Sequence, residues 1–289
     1  MDVPLRRAAD QPMAETWALV LSSQAIPSQL MKDDRGWLVC VPPEQAEHAS
    51  QVLADFDRDL AEEASPESSP VEYGSTPVGL GIGVLLVLFF WVTGPHDAAV
   101  FWFRDGAAAS ERILAGQWWR TVTALTLHAD VAHLLGNAIS LAIFATAAGR
   151  SLGPGLASVL VLGAGMLGNA LSAAAHGPGH LSVGASTSVF GAIGILCGQQ
   201  FVRRRALGAR SRPAWLALAA GLGLLAFLGT GERSDMAAHL FGLLVGTLLG
   251  ILATLALARP PNRVLQAFGL AACAATVVLA WLSALGAPG

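Results

Sequence analysis

The sequence predicts an all-α polytopic membrane bundle preceded by a small α+β domain. Hydrophobic residues make up 54% of the 289-residue chain, and charged residues make up only 13%. The mean hydropathy is +0.56. A soluble domain carries about 25% charged residues, so this composition indicates a membrane protein. Apolar runs approaching the roughly 20 residues that a helix needs to cross a bilayer follow one another through the second part of the chain.

The charge and the cysteines exclude several classes of function. A formal net charge of −3 argues against nucleic acid as a partner. Cys40, Cys197 and Cys273 are far apart, so neither a disulfide framework nor a zinc site is predicted, and no cofactor or metal is expected. The first 17 residues lack an apolar core and a cleavage site. We therefore expect no signal peptide and an amino terminus that stays on the side of synthesis.

Residues 1–63 are predicted to form the small α+β domain. Residues 17–21, WALVL, and 35–42, RGWLVCVP, have strand-like patterns, whereas residues 44–63 have helical periodicity. Residues 64–76 are rich in Pro, Ser and Glu, as is typical of a linker. This part of the chain contains no catalytic constellation.

The remainder is predicted to contain seven transmembrane helices. Six of them belong to a membrane core at residues 77–258, and the seventh lies in an additional carboxy-terminal segment at residues 259–289. The predicted spans are residues 78–93, 131–149, 156–176, 186–202, 214–230, 236–258 and 264–285.

Arginines in the loops predict the orientation. Short loops rich in Lys and Arg stay on the cytoplasmic side, and three alternate loops here are basic. They contain Arg150, the group Arg203, Arg204, Arg205, Arg210 and Arg212, and the pair Arg259 and Arg263. These loops and the amino-terminal domain are therefore expected in the cytoplasm. The opposite loops have fewer arginines: Arg104, Arg112, Arg120 and Arg233.

The long loop at residues 94–127 is aromatic. It contains Trp102, Phe103, Trp118 and Trp119. Amphipathic aromatic side chains favour the membrane interface, so an anchoring belt explains this composition.

Ser186 is the first candidate functional residue. It follows a loop with glycines and a proline at residues 177–179, which stops any preceding helix, and it begins an apolar helix. A serine at such a place commonly caps the helix. The G-x-S-x-G hydrolase motif is not matched, because Ser188 lies two residues beyond Ser186. Glycines at helical spacing in this span predict a neighbour close to its backbone: Gly191, Gly194 and Gly198.

Polar residues also begin the second span. His133 and Asn137 are four residues apart and share a helix face, whereas His128 lies off that face. Such groups inside a bilayer are costly and are functional candidates by default, although an interhelical hydrogen bond that only stabilises the bundle remains an alternative. A metal site is disfavoured, because there is no H-E-x-x-H motif and the one carboxylate, Asp130, lies near the mouth of the span.

His239 in the sixth span precedes a ridge of glycines: Gly242, Gly246 and Gly250. This ridge predicts that the sixth helix packs closely on the fourth and brings His239 to Ser186, where the two can act as nucleophile and general base. Asp235, four residues earlier, could orient His239. It or Ser234 is instead predicted to cap the helix, which leaves a Ser–His dyad.

These motifs, in this order, resemble those of the rhomboid intramembrane serine proteases. They are H-x4-H-x3-N in the second span, G-x-S at the start of the fourth and A-H-x2-G-x3-G in the sixth. The loop segment GQWWR at residues 116–120 resembles the Trp-Arg element of that family. The resemblance covers about residues 78–258.

The resemblance implies a role for each matching residue. Ser186 would be the nucleophile and His239 the general base. The oxyanion hole would comprise His133, Asn137 and the backbone N–H of Ser186. Supporting positions would be His128, a lesser polar neighbour; Phe190, whose ring packs on the histidine; and Gly242 and Gly246, which let the helices approach.

The resemblance also implies a function. It indicates a serine endopeptidase that hydrolyses peptide bonds in or near the transmembrane segments of other membrane proteins, within a lipid bilayer, from a site open toward the outer face of the cell membrane. Rhomboid-like proteins that bind membrane clients without cleaving them are the alternative. Thr187 stands where many members have Gly, which is expected to affect the substrate range. The seventh span suggests the bacterial or organellar subclass, and the acidic amino-terminal region disfavours a mitochondrial member.

Overall fold

The computed structural model describes residues 2–34, 36–64, 72–96, 100–206, 216, 219–223, 235–257 and 259–286. The chain divides into two compact units, Met1–Pro70 and Val71–Gly289.

The amino-terminal unit is a three-stranded antiparallel sheet with two helices. Strand β3 is central, in the order β1-β3-β2. The elements are β1 Val3–Ala8, α1 Gln11–Ser23, β2 Gln29–Asp33, β3 Gly36–Val41 and α2 Ala46–Ala64. The helices and the sheet share one hydrophobic core, which comprises Ala8, Ala14, Trp17, Leu21, Ile26, Val39, Val41, Ala49 and Leu53.

The prediction of a strand at residues 17–21 is wrong, because these residues belong to helix α1. The Asp10 carboxylate caps this helix by accepting the N–H of Met13 at 2.9 Å, and Pro12 lies in the first turn. Both features favour a helix start. Ala14, Trp17 and Leu21 then share one buried face. Strand β3 lies within the strand predicted at 35–42, and α2 covers most of the helix predicted at 44–63.

The second unit is a helical bundle with a short two-stranded sheet. Its elements are α3 Val78–Thr93, α4 Phe101–Gly106, β4 Ala108–Ala109, α5 Ser110–Leu114, α6 Arg120–Thr123, α7 Val131–Leu152, α8 Pro154–His176, β5 Leu181–Ser182, α9 Ser186–Ala206, α10 Met236–Ala256 and α11 Arg263–Gly286.

Four helices in the described part of the chain are long and apolar enough to cross a bilayer: α7, α8, α10 and α11. Helix α3 is apolar but shorter. The span predicted at residues 214–230 lies largely outside the described residues. Helix α9 extends beyond the predicted residue 202 to Ala206. Its last turn contains Arg203, Arg204 and Arg205, which have good helix propensity and favour the negative end of the helix dipole.

Helix α9 is central to the bundle, because it contacts α7, α8 and α10. Its buried residues Val189, Ile193 and Ile195 join a core that includes Leu141 of α7 and Leu243 of α10. The residues at the start of α9 are therefore held by three neighbouring helices.

Helices α9 and α10 approach each other at the level of their backbones. A Cβ atom added at Gly242, Gly246 or Gly250 would overlap a carbonyl oxygen of α9. A Cβ atom added at Gly194 or Gly198 would in turn overlap a carbonyl oxygen of α10. The close approach predicted from the glycine spacing is therefore present.

Helix α11 is joined to the rest of the unit by a buried glutamine, Gln266. Its Oε1 accepts the N–H groups of Gly155 and Leu156 at 2.7 and 2.9 Å, and its Nε2 donates to the carbonyl of Leu152 at 2.8 Å. The side chain thus satisfies backbone groups that the end of α7 and the start of α8 leave without helical partners. Unsatisfied, each of these groups would be costly in an apolar environment.

Most aromatic side chains of the loop at 94–127 pack against the rest of the unit. Phe103 is buried in a cluster with Trp281 of α11, and Trp102 and Trp119 pack against that cluster. Trp118 is the exposed member of the four predicted aromatics. Three of the four rings therefore pack the loop against α11. An anchoring belt at the membrane interface does not by itself explain them.

Arg120 organises the interior of the same loop. It is buried, and its Nη1 donates to the carbonyls of Arg104 and Ala107 at 3.1 and 2.9 Å, while its Nε donates to Gln117 at 2.7 Å. A guanidinium has five N–H donors in a fixed geometry, so one side chain can hold several backbone segments at once.

We predict that Gly246→Ala lowers the melting temperature of the detergent-purified protein. The added methyl would overlap the carbonyl of Gly191, and overpacking costs about 1–3 kcal/mol. Gly163→Ala in α8 is the matched control, because nothing lies within 4 Å of a Cβ there. It should leave the melting temperature unchanged or raise it, since alanine is the better helix former. Equal melting temperatures for the two variants would contradict close packing at Gly246.

Candidate active site

Ser186 begins α9 at the end of a tightly held turn. The turn requires Gly184, whose φ of +127° lies in a region that favours glycine. The Gly184 N–H donates to the carbonyl of Ala124 at 2.9 Å. Strand β5 also pairs with β4, so the loop before Ser186 is fixed against the loop at 94–127. The position of the serine is therefore set by the fixed loop that precedes it and by the helix that it begins.

His239 lies in the first turn of α10, directly beside this serine. Its Nε2 is 2.7 Å from the Oγ of Ser186, and the residue is only 5% exposed. The ring of Phe190 stacks on the imidazole with the centroids 4.7 Å apart. Packing on one side and a hydrogen bond on the other fix the orientation of the ring, so Nε2 is placed to exchange a proton with the hydroxyl.

Asp235, one of the two residues predicted to cap this helix, is the cap of α10. Its carboxylate accepts the N–H of Ala238 at 2.9 Å. It also accepts hydrogen bonds from Ser172 at 3.1 Å and His180 at 2.7 Å. Burial opposes ionisation of this carboxyl, but the hydrogen bonds from Ala238 and His180 outweigh it and lower its pKa below the ordinary value.

His133 and Asn137 converge on the same turn. A Cβ atom added at Gly184 would lie 2.7 Å from the Nε2 of His133 and 3.6 Å from the Nδ2 of Asn137. Asn137 is 6% exposed, and its Nδ2 makes no hydrogen bond within the described part of the chain. Two side-chain nitrogens that can donate hydrogen bonds thus lie against the backbone two residues before Ser186.

His128 lies behind this arrangement and is fully buried. Its Nε2 accepts the N–H of Ala185 at 3.4 Å, and its ring centroid lies 5.4 Å from that of His133. Its contact is therefore with the backbone that precedes the serine.

These groups surround a cavity of about 650 Å³. The sequence-predicted residues that line it are Ser186, His239, His133, Asn137 and Phe190. His128 does not line the cavity, and Gly246 lies further along the α9–α10 contact. The cavity can hold a small peptide segment beside a serine hydroxyl that is hydrogen-bonded to an imidazole.

Sequence reasoning missed two polar features at this cavity. The Thr187 hydroxyl donates to Oδ1 of Asn169 at 2.9 Å, and Nδ2 of Asn169 donates to the carbonyl of Thr121 at 3.0 Å. This chain of hydrogen bonds links α9 to the loop at 94–127. The second feature is the contact of His180 with Asp235. Neither has a sequence signal, because the partners are distant along the chain.

Comparison with known proteins places this chain in a family. A Rhomboid domain model matches residues 115–256. YdcA of Bacillus subtilis, which bears the name of a candidate rhomboid protease, is 32% identical over 173 residues, or 60% of this chain and 85% of YdcA. The chain belongs to the rhomboid family.

Two further relatives extend the comparison. The rhomboid protease GluP of Bacillus subtilis is 28% identical over 161 residues, which are 52% of this rhomboid chain but 31% of GluP. Rhomboid-like protease 1 of Toxoplasma gondii is 29% identical over 215 residues, or 68% of this chain and 73% of the relative. The rhomboid membership and the apolar helices identify a membrane protein whose relatives are named as proteases.

Proposed function

We propose that this rhomboid is an intramembrane serine endopeptidase that cleaves peptide bonds in or near the transmembrane segments of other membrane proteins. The observation that carries the proposal is the 2.7 Å hydrogen bond between Ser186 Oγ and His239 Nε2. The two residues are 53 positions apart in sequence, and they meet beside a cavity large enough for a peptide.

Ser186 is the proposed nucleophile and His239 the proposed general base. A serine hydroxyl is a weak nucleophile until a neighbouring base accepts its proton. His239 Nε2 takes that proton as Ser186 Oγ attacks the substrate carbonyl, and later gives it to the leaving amine. Stacking of Phe190 on the imidazole supports this role, because it holds the ring in one orientation through both transfers.

His133, Asn137 and the backbone N–H of Ser186 are the proposed oxyanion hole. The convergence of His133 and Asn137 on Gly184 supports this assignment, as does the buried Nδ2 of Asn137. Donors fixed before the reaction stabilise the negative charge that develops on the carbonyl oxygen. His128 supports the site indirectly through its contact with the N–H of Ala185.

Hydrolysis requires water and an accessible amide. Polar residues in the cavity lining, such as Ser140, His180 and Asp235, are compatible with water there. Helical hydrogen bonds cover the amides of a transmembrane substrate, so the substrate must unwind near the cavity before Ser186 can attack. We therefore propose segments with helix-breaking residues as preferred substrates.

The proposal includes the full arrangement of the chain. It comprises a domain at residues 1–63, a linker at 64–76, a core of six membrane helices within 77–258 and a seventh helix after residue 259. The arginine pattern supports a cytoplasmic amino-terminal domain and a cavity that opens toward the outer face of the cell membrane.

Inside-out vesicles expose the cytoplasmic face of the membrane. Protease added to sealed vesicles of this kind should therefore remove the amino-terminal domain, and protection of the domain from the protease would contradict this orientation.

Ser186→Ala and His239→Ala are each predicted to reduce cleavage of a transmembrane reporter by about 10⁴-fold or more, because each removes one member of a pair that acts as a unit. Cleavage by the full-length protein in proteoliposomes measures this. Ser140→Ala and His96→Gln are the matched controls. They change the same residue types in the same cavity lining and should retain activity.

Cleavage by purified Ser186→Ala at a rate close to that of the unmodified protein would rule out the dyad. If the unmodified protein bound the reporter without cleaving it, the client-binding alternative would be favoured instead.

For Asn137→Ala we expect a smaller loss, about 10²-fold in kcat with little change in KM. One oxyanion donor contributes about 3 kcal/mol, and the remaining donors stay in place. Separate determination of kcat and of KM in the reporter assay distinguishes this loss from a binding defect, which would raise KM and leave kcat unchanged. An unchanged kcat would remove Asn137 from the oxyanion hole.

A further inference from the structure

A second cluster of titratable side chains lies at the edge of the cavity, outside the Ser186–His239 pair. It comprises His176 at the end of α8, His180 in the following loop and Asp235 at the start of α10. One ligand atom from each residue lies within 4.8 Å of the other two. His180 and Asp235 also line the cavity.

The backbone between the two histidines brings their rings together. Gly177 and Gly179 adopt φ angles of +71° and +89°, which turn the chain back on itself after α8. The two imidazoles are parallel, with centroids 3.8 Å apart. His180 Nε2 is 2.7 Å from Asp235 Oδ2, and His176 is exposed to solvent. An ion could therefore reach the cluster from outside.

We propose that His176, His180 and Asp235 form a binding site for Zn²⁺ or a chemically similar divalent transition metal. Two imidazole nitrogens and one carboxylate oxygen are a common zinc ligand set, and water supplies the fourth ligand. In a tetrahedral site with bonds of about 2.0–2.1 Å, the ligand atoms lie about 3.4 Å apart. The ligand atoms of the cluster lie within 4.8 Å of one another, and binding requires the two stacked rings to turn toward a common point.

The surroundings of the cluster suit a metal site. Asp235 Oδ1 accepts the N–H of Ala238, whereas Oδ2 accepts a hydrogen bond from His180 Nε2. An ion that takes the place of the proton between His180 Nε2 and Oδ2, which is released to water, therefore leaves the helix cap intact. The Ser172 hydroxyl lies within hydrogen-bonding distance of both Asp235 and the Nδ1 of His176. Partners of this kind orient metal ligands and are a regular part of metal sites.

A bound ion would cross-link three segments of the second unit. These are the end of α8, the loop that leads to Ser186 and the first residue before α10. The inference does not depend on the proposed proteolysis, because binding is measured without a substrate.

The test is titration of the full-length protein, without a histidine tag, with Co²⁺ and then with Zn²⁺. Co²⁺ should produce the intense visible absorption of a tetrahedral site, and Zn²⁺ should abolish it by displacement. Zn²⁺ at about 100 times its Kd should also raise the melting temperature, because ligand binding to the folded state stabilises it. Mg²⁺, which prefers oxygen ligands, should do neither.

Three variants locate the site. His176→Gln and His180→Gln should each lose the Co²⁺ absorption and the Zn²⁺-dependent rise in melting temperature. His48→Gln, which removes an exposed histidine from the amino-terminal unit, should keep both. If His180→Gln fails to fold, the exposed His176→Gln decides. Absence of the absorption from the unmodified protein, or its persistence in His176→Gln, would overturn the proposal.

Discussion

The contact between the backbones of α9 and α10 is the constraint on which the rest of the site depends. Gly242, Gly246 and Gly250 lie against carbonyl oxygens of α9, where a single methyl group would not fit. This short separation brings the first turns of the two helices together, and these turns contain Ser186 and His239. A histidine on a helix held further away by ordinary side chains could not reach the serine at 2.7 Å. Close packing of small residues, which is a general means of helix association in membranes, therefore also sets the geometry of the contact between Ser186 and His239.

The second requirement is a rigid turn before Ser186. Gly184 is hydrogen-bonded to Ala124, and His128 accepts the N–H of Ala185. The loop at 94–127, which provides Ala124 and ends directly before His128, is itself held by Arg120 and by aromatic packing on Trp281. A loop that looks peripheral in sequence thus acts as the support for the turn. The buried guanidinium of Arg120 finds its hydrogen-bond partners within the loop, as an apolar environment requires of buried polar groups.

Much of this arrangement could be predicted from the sequence, and the failures have physical causes. The glycine spacing correctly indicates the α9–α10 contact, and the cap of α10, Asp235, is one of the two residues that the sequence offers for it. Trp17 and Leu21 were assigned to a strand because Trp and Val favour strands, although Asp10 and Pro12 marked a helix start. No sequence pattern indicates the contacts that Gln266, Asn169 and His180 make. Their partners are contributed by other helices, and such pairings depend on packing that local sequence patterns do not encode.

We propose that His239 activates the Ser186 hydroxyl within the folded bundle. Labelling of the full-length protein in proteoliposomes with a fluorophosphonate, followed by mapping of the modified peptide, tests this most directly. We expect one phosphonylated residue, Ser186, and a loss of labelling in His239→Ala while the melting temperature stays unchanged. A label on another serine, or equal labelling of Ser186 without His239, would contradict it.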